Sequence, residues 1–427
     1  MIISCDPVCW GTEHVAFNSG TLQIILAAFP QEHLAFFGEQ SHIELLREQM
    51  GPALARKVIW SAVRIPERGA GYFERLRPEI EILKALYRRL PAVATNLIVF
   101  QTILPSTLLA LKLTRRHLGA GIAVQAMLHG ELSELVNQRS LRPLRRLEDV
   151  RTAIGVWGRR GIQYLVLEEN IKAVLLRHMP FLSGRVEALE HPLCPNERAC
   201  DTVPLEYPIR FGFLGMANEE KGFPEFVELA GKTVRKHPRL AAFHALGKYP
   251  GLPSSLPAAE VLTVKPAETH RTRQDFIAGI QRLHFTVFPY KLSHYASSPS
   301  GTLLDALAWE KPLIAARIPL FENMFTRHGN IGYLFDSPTE LEKIVERIIS
   351  REPDANLYEQ QVLNLRKARA TRTAAAVAPS YRRACVRAWK LCGNMAWRAI
   401  ENLEGCETVP LSTETIKKAG ALPNKTF

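Results

Sequence analysis

The chain has 427 residues, a formal net charge of +12, and a composition that is 47% hydrophobic but only 8% aromatic. That length is too great for one core and points to two domains with extensions, and the hydrophobic share excludes a disordered chain. The longest apolar run, about Leu22 to Phe29, falls far short of the roughly 18 residues that a membrane-spanning helix needs.

The opening Met1-Ile-Ile-Ser-Cys-Asp6 has neither the basic n-region nor the apolar h-region of a signal peptide. Seven cysteines (Cys5, Cys9, Cys194, Cys200, Cys385, Cys392 and Cys406) are scattered, with no Cys-x-x-Cys pair and no accompanying His cluster. Inert thiols in a reducing, cytoplasmic compartment are therefore expected, with no metal site. The positive balance favours anionic partners. Zinc-finger spacing, an RNA-binding aromatic signature and a long basic tail are all missing, so phosphates and lipid headgroups are expected and nucleic acid is not.

Apolar runs alternate with helical patterns, as in βαβ units with a parallel sheet. In the first half, strands are expected at 2–4, 34–37, 58–63, 97–101, 122–128, 164–167 and 186–189. Helices are expected at 14–28, 43–50, 79–89, 106–117 and 168–178. Arg64, Arg68, Arg75 and Arg77 are read as a loop, and Arg139, Arg142, Arg145, Arg146, Arg151, Arg159 and Arg160 as a basic helical segment. Four prolines at 192, 195, 204 and 208 mark a domain boundary. Beyond it, strands are expected at 209–214, 240–246, 260–264, 284–288, 313–316 and 332–335. Helices fall at 222–236, 272–282, 302–309, 319–327 and 338–350. Residues 353–404 read as basic helices and 405–427 as a loosely ordered tail. The fold class is thus α/β: an N-terminal Rossmann-like domain over 1–195 and a second over 205–352.

Two stretches carry chemistry. In Phe211-Gly-Phe-Leu-Gly-Met-Ala-Asn-Glu-Glu-Lys-Gly-Phe223 a strand ends at Gly215, and a loop bearing Lys221 leads into a helix. A lysine there offers a point charge to a phosphate, and the glycines let the backbone come close. In Ser297-Ser-Pro-Ser-Gly-Thr302 a loop of small residues feeds a helix, whose free N–H groups and dipole suit an anion. An ordinary αβ turn with an N-cap serine fits the same residues. Both stretches follow strands of a parallel sheet, at the edge where open α/β sheets bind ligands.

The run from Phe213-Leu214-Gly215 to Lys221-Gly222 resembles the GT-B glycosyltransferases, particularly the large retaining family of bacterial polysaccharide enzymes. So do Phe288-Pro289-Tyr290 through Ser300-Gly301-Thr302 to Asp305, Lys311-Pro312, and Gly329 to Phe335. The likeness covers residues 209–340 well; the first half matches in its strand–helix order. It implies two Rossmann-like domains facing a cleft, with the last helices packing back on the first domain. It also implies transfer of a sugar from a nucleotide-sugar to a saccharide acceptor in cell-surface polysaccharide assembly, with no cofactor beyond that donor.

Carried onto this chain, the resemblance puts Lys221 and the backbone at Ser300, Gly301 and Thr302 on the donor diphosphate, beside Gly215 and Tyr290. Asp305 would meet the ribose from the helix's first turn. His129, after the strand ending at Leu128, would act near the reacting phosphate. Glu13 or His14, in the loop after the first strand, would bind or deprotonate an acceptor hydroxyl. Local structural roles fit these last three residues equally, with Thr12 and Glu13 starting a helix. No Asp-x-Asp pair occurs, which fits a metal-independent reaction. Similar enzymes act on lipid-linked saccharides, so the arginine runs suggest an anionic membrane surface at the inner face of the cytoplasmic membrane. Two positions depart from the family: Ser297 stands where a sugar-binding carboxylate is usual, and Met216 where arginine is common. They leave open a sugar-nucleotide epimerase or phosphorylase, or a scaffold that has lost activity.

Overall fold

The structure, a computed structural model, describes residues 1–88, 97–118, 121–128, 132, 135, 142–155, 161–193, 202–249, 260–269, 271–295, 299–350 and 354–393. His129, Arg139, Arg159, Arg160, Ser297 and the expected tail at 405–427 lie outside the described residues.

Two parallel sheets organise the chain. The first holds β1 (Ile2–Cys5), β2 (Leu34–Gly38), β3 (Val58–Ala62), β4 (Leu97–Phe100), β5 (Ala123–Leu128), β6 (Ile162–Leu167) and β7 (Val186–Leu189), in the order β3-β2-β1-β4-β5-β6-β7. The second holds β8 (Ile209–Leu214), β9 (Ala241–Leu246), β10 (Phe285–Phe288), β11 (Leu313–Ala316) and β12 (Gly332–Phe335), in the order β12-β11-β10-β8-β9. Central strands such as β4 and β5 are buried throughout, which is why they read as unbroken apolar runs rather than alternating ones.

Helices cover both faces of each sheet. The Phe223–Lys236 helix turns Phe223, Phe226, Val227 and Ala230 inward, at i, i+3, i+4 and i+7, onto the same core as Leu341, Ile344, Val345 and Ile348 of the Pro338–Ser350 helix. The last two helices divide their loyalty. Tyr358, Val362, Leu365 and Ala368 of Ala355–Thr371 pack on the second sheet. Ala374–Cys392 sends Val377, Tyr381, Ala384 and Trp389 into the core beneath the first. The chain therefore crosses back to the first sheet between Thr371 and Ala374.

Three expectations need correction. The helix placed at 79–89 begins at Tyr72: the Glu74 carboxylate accepts from the Gly71 N–H at 2.9 Å, and the helix runs on through Pro78 with Leu83 and Leu86 in the core. Arg75 and Arg77 are thus helical, and Arg75 is buried, donating to Glu79 Oε1 at 3.1 Å. The strand expected at 260–264 is a single bridge from Val264 to His244, because only Thr263 and Val264 reach β9. A further short helix spans Leu292–Tyr295. Among the described residues no helix is long and apolar enough to cross a membrane. Cys5, Cys9 and Cys385 are buried free thiols, and burial pushes the Cys385 thiol up to about 12.

His284 ties β10 to the chain entering β8. It is fully buried, accepts from the Arg210 backbone N–H through Nδ1 at 3.0 Å, and has Nε2 2.9 Å from the Pro204 carbonyl. Burial, then the Arg210 charge, pushes its pKa down to about 4. An unfolded histidine titrates near 6.5, so as pH falls the unfolded chain takes the proton first. The His284 contribution is complete above about pH 6.5 and drains away between there and about 4. The melting temperature should therefore drop by several degrees between pH 7 and pH 5, and His284→Gln should shrink that drop. Equal pH sensitivity in parent and variant would contradict this.

Candidate functional site

Strand order in the second sheet reverses between β8 and β10, since β8 and β9 lie to one side and β10 to β12 to the other. Loops leaving β8 and β10 part there and open a crevice. Close backbone approach then brings the two loops together. Gly222 has φ +70°, and a Cβ on it would lie 2.0 Å from the Pro289 carbonyl oxygen, so only glycine lets the Lys221 loop touch the β10 loop. Gly215, at φ +86°, leaves the space that a Cβ would take 2.6 Å from Thr302 Cγ2 and 2.8 Å from Lys221 Nζ.

Thr302 is the meeting point. Its Oγ1 accepts from Lys221 Nζ at 3.3 Å and lies 2.7 Å from Tyr290 Oη and 3.3 Å from Ser300 Oγ. Tyr290 stacks on Tyr295 with ring centroids 4.0 Å apart, and its ring lies 5.5 Å from Lys221 Nζ. Ser300 caps the Gly301–Ala308 helix, its Oγ accepting from the Leu303 N–H at 3.2 Å. The N–H groups of Gly301 and Thr302 meet no acceptor among the described residues, and a Cβ on Gly301 would touch nothing within 4 Å. The result is an open helix N-terminus beside an ammonium group, both aimed at one crevice. Such a pair can hold a diphosphate.

Asp305 shares the exposed side of this helix with Gly301 and Thr302, but it is the fifth residue, in the second turn and not the first. Its Oδ1 accepts from Arg273 Nη2 at 2.6 Å, an ion pair that spacing in the sequence did not reveal.

The first sheet has its own switch point, between β1 and β4. Here sequence reading missed a buried polar knot around Asp6. The Asp6 carboxylate accepts from the N–H groups of Val8 (3.0 Å) and Cys9 (2.9 Å), from Asn18 Nδ2 (2.6 Å) and from Thr102 Oγ1 (2.9 Å). Burial would raise its pKa, but the His42 imidazole and these hydrogen bonds outweigh that and hold it below the usual carboxylate range. The knot fixes the loop that carries both acceptor-side candidates. His14 Nδ1 lies 3.4 Å from Thr102 Oγ1, and His14, at φ 52°, is the residue before the Val15–Ala28 helix. Glu13 remains 41% exposed, with Oε2 accepting from the Trp10 N–H and Oε1 paired with Arg68. Thr12 does not cap the helix. A buried aspartate directly after a first strand was the available signal.

The structure thus gathers Gly215, Lys221, Tyr290, Ser300, Gly301, Thr302 and Asp305 at one switch point, and Glu13 with His14 at the other. His129 falls outside the described residues. Among those described, no three His, Cys, Asp or Glu side chains are grouped to hold a metal ion.

No protein-family model matches the chain, and no curated protein sequence matches it. Its fold, however, is similar to solved structures. One is WaaG, a glycosyltransferase involved in lipopolysaccharide biosynthesis, with a TM-score of 0.60 at 11% identity over 90% of this chain and 98% of that one. Another is Anabaena HepE in complex with UDP and glucose, with a TM-score of 0.61 at 12% identity over 90% and 98%. A third is OtsA in its apo form, at 0.57 and 9% identity over 89% and 98%. Together with the two facing parallel sheets and the returning C-terminal helices, these likenesses show that the chain has the GT-B fold.

Proposed function

We propose that the protein is a glycosyltransferase that moves a sugar from a nucleotide-sugar donor to a hydroxyl of a saccharide acceptor. The observation that carries this reading is the convergence of Lys221 and the open N-terminus of the Gly301–Ala308 helix on Thr302, at the switch point of the second sheet. HepE, whose fold is similar, is in complex with UDP and glucose, which supports the same ligand class here.

In the reaction, the bond from the anomeric carbon to the β-phosphate oxygen breaks, and a bond to the acceptor oxygen forms. Charge grows on the departing diphosphate. Lys221 Nζ and the Gly301 and Thr302 N–H groups meet that charge, already in place before it develops. Tyr290 and Ser300 hold the Thr302 hydroxyl in register for this task. Asp305 offers Oδ2 to the ribose while Arg273 occupies Oδ1. The acceptor proton passes to Glu13 or His14 at the first sheet's edge, with His129 assisting at the phosphate. Closure of the cleft would exclude water from the reacting carbon.

The acceptor is proposed to be lipid-linked and presented at the inner face of the cytoplasmic membrane, in cell-surface polysaccharide assembly. Support comes from the Arg64–Arg77 segment, which exposes Phe73 (57%) together with Arg64 and Arg77, while Arg75 is buried and Arg68 pairs with Glu13. Basic residues near an anionic surface contribute about 1 kcal/mol each. If so, Phe73→Ser with Arg77→Gln should reduce co-sedimentation with vesicles containing phosphatidylglycerol, and unchanged sedimentation would count against it.

For the donor site, Lys221→Ala and Thr302→Val should each weaken binding of UDP or GDP by about tenfold, or ~1.4 kcal/mol, with little change in melting temperature. Gly215→Ala should also weaken binding, by displacing both groups, and its strained backbone at φ +86° should lower the melting temperature as well. Isothermal titration calorimetry checks all three. Parent-like affinity in Lys221→Ala would remove the donor assignment.

A further inference from the structure

We propose that Glu168 and Arg372 are positioning residues that set how closely the diphosphate-holding helix approaches the first sheet. The proposal rests on the functional reading above, and it starts from a backbone anomaly.

Glu168 follows β6 with φ 83° and ψ 144°, a conformation that residues with a side chain rarely adopt. Such a residue persists only where its surroundings over-determine it. Here the surroundings are a guanidinium, the His191 N–H and the Leu189 carbonyl, which accepts from the Glu168 N–H at 2.9 Å. Arg372 Nη1 donates to Glu168 Oε1 at 2.5 Å and Nη2 to Oε2 at 3.1 Å, and the His191 N–H adds a third bond to Oε1 at 3.2 Å. The side chains are 1% and 6% exposed. A two-pronged pair of this kind fixes direction as well as distance.

Arg372 also stands where the chain crosses between domains, directly after the Ala355–Thr371 helix on the second sheet and just before the Ala374–Cys392 helix on the first. The same guanidinium donates to the His191 carbonyl in the connecting segment and to Met324 Sδ in the second domain, each at 3.3 Å. Its own carbonyl accepts from the Leu193 N–H. An ion pair from Arg327 to Glu190 lies alongside. One buried side chain therefore touches the first sheet, the connection and the second domain together.

The pair also reaches the proposed site. Glu168, His191 and Arg372 line a small cavity whose other walls include Ser300, Leu303 and Leu304. Ser300 is the cap of the diphosphate-holding helix, and Leu303 and Leu304 are its buried face. One side of that short helix faces the crevice and the other rests on the rivet. A shift at the rivet moves the helix N-terminus relative to the loop carrying Glu13 and His14, and transfer between two domains is acutely sensitive to such spacing. Nucleoside diphosphate binding, confined to the second domain, is not.

A pair that serves stability alone would give a different result, and the double variant Glu168→Gly with Arg372→Met separates the two. Glycine accepts the backbone angle, and no buried charge is stranded. Arg372→Lys, which keeps the charge but loses the fork, is the second variant. Each is compared with the parent in three ways: affinity for UDP and GDP by calorimetry, turnover of whichever of UDP-glucose and GDP-mannose the parent consumes, and small-angle X-ray scattering. The double variant should keep the parent's diphosphate affinity, lose about a hundredfold in turnover, and show a changed interdomain scattering profile. Arg372→Lys should fall between the two. Parent-like turnover, or parent-like scattering, in a folded double variant overturns the proposal. A parent that binds neither diphosphate instead refutes the functional reading, and scattering then decides the rivet alone.

Discussion

A parallel sheet that reverses its strand order must open a crevice at the reversal, because the two connections leave toward opposite faces. This chain does so twice, between β1 and β4 and between β8 and β10. The rest of the candidate site depends on that constraint. It puts the Lys221 loop and the Ser300 loop side by side, so that Lys221 meets Thr302 across 81 residues. Gly222 then sharpens the junction: with no Cβ in the way of the Pro289 carbonyl, the two loops pack in direct contact.

What the crevice contains is a small, ordered set of donors. The Gly301–Ala308 helix spans two turns, and its dipole alone is modest. Its effect comes from being joined to Lys221 through Thr302, with Tyr290 and Ser300 bonding the same hydroxyl and Tyr295 backing the Tyr290 ring. A group that must stabilise a departing diphosphate gains from being fixed beforehand. The first sheet shows the same logic in its Asp6 knot, where burial is offset by four hydrogen bonds and a histidine, leaving Glu13 exposed on a rigid loop.

Much of this was legible in the sequence, and the limits have physical causes. Strands buried on both faces announce themselves as apolar runs, so both sheets could be read almost strand by strand. Lys221, Gly215 and Ser300 to Thr302 could be found because glycine, lysine and small residues at strand ends have local geometric reasons to be there. Long-range pairs have none. Arg372 meets Glu168 across 204 residues, and Arg273 meets Asp305 across 32, with no spacing rule to join either. Composition likewise does not reveal which basic side chains already have an acidic partner. Arg75 is buried against Glu79, Arg366 and Arg369 pair with Glu310, and Arg387 pairs with Glu187. The helix expected from Glu79 begins at Tyr72 and continues through Pro78.

The central claim is that the β8–β10 crevice holds a nucleoside diphosphate. The most direct measurement is a crystal structure of the protein with UDP or GDP bound. The account predicts the distal phosphate within hydrogen-bonding distance of Lys221 Nζ and of the Gly301 and Thr302 N–H groups, with the ribose beside Asp305. A diphosphate seated at the β1–β4 edge, or a saturated crystal with Lys221 still on Thr302 and no phosphate near it, would contradict it.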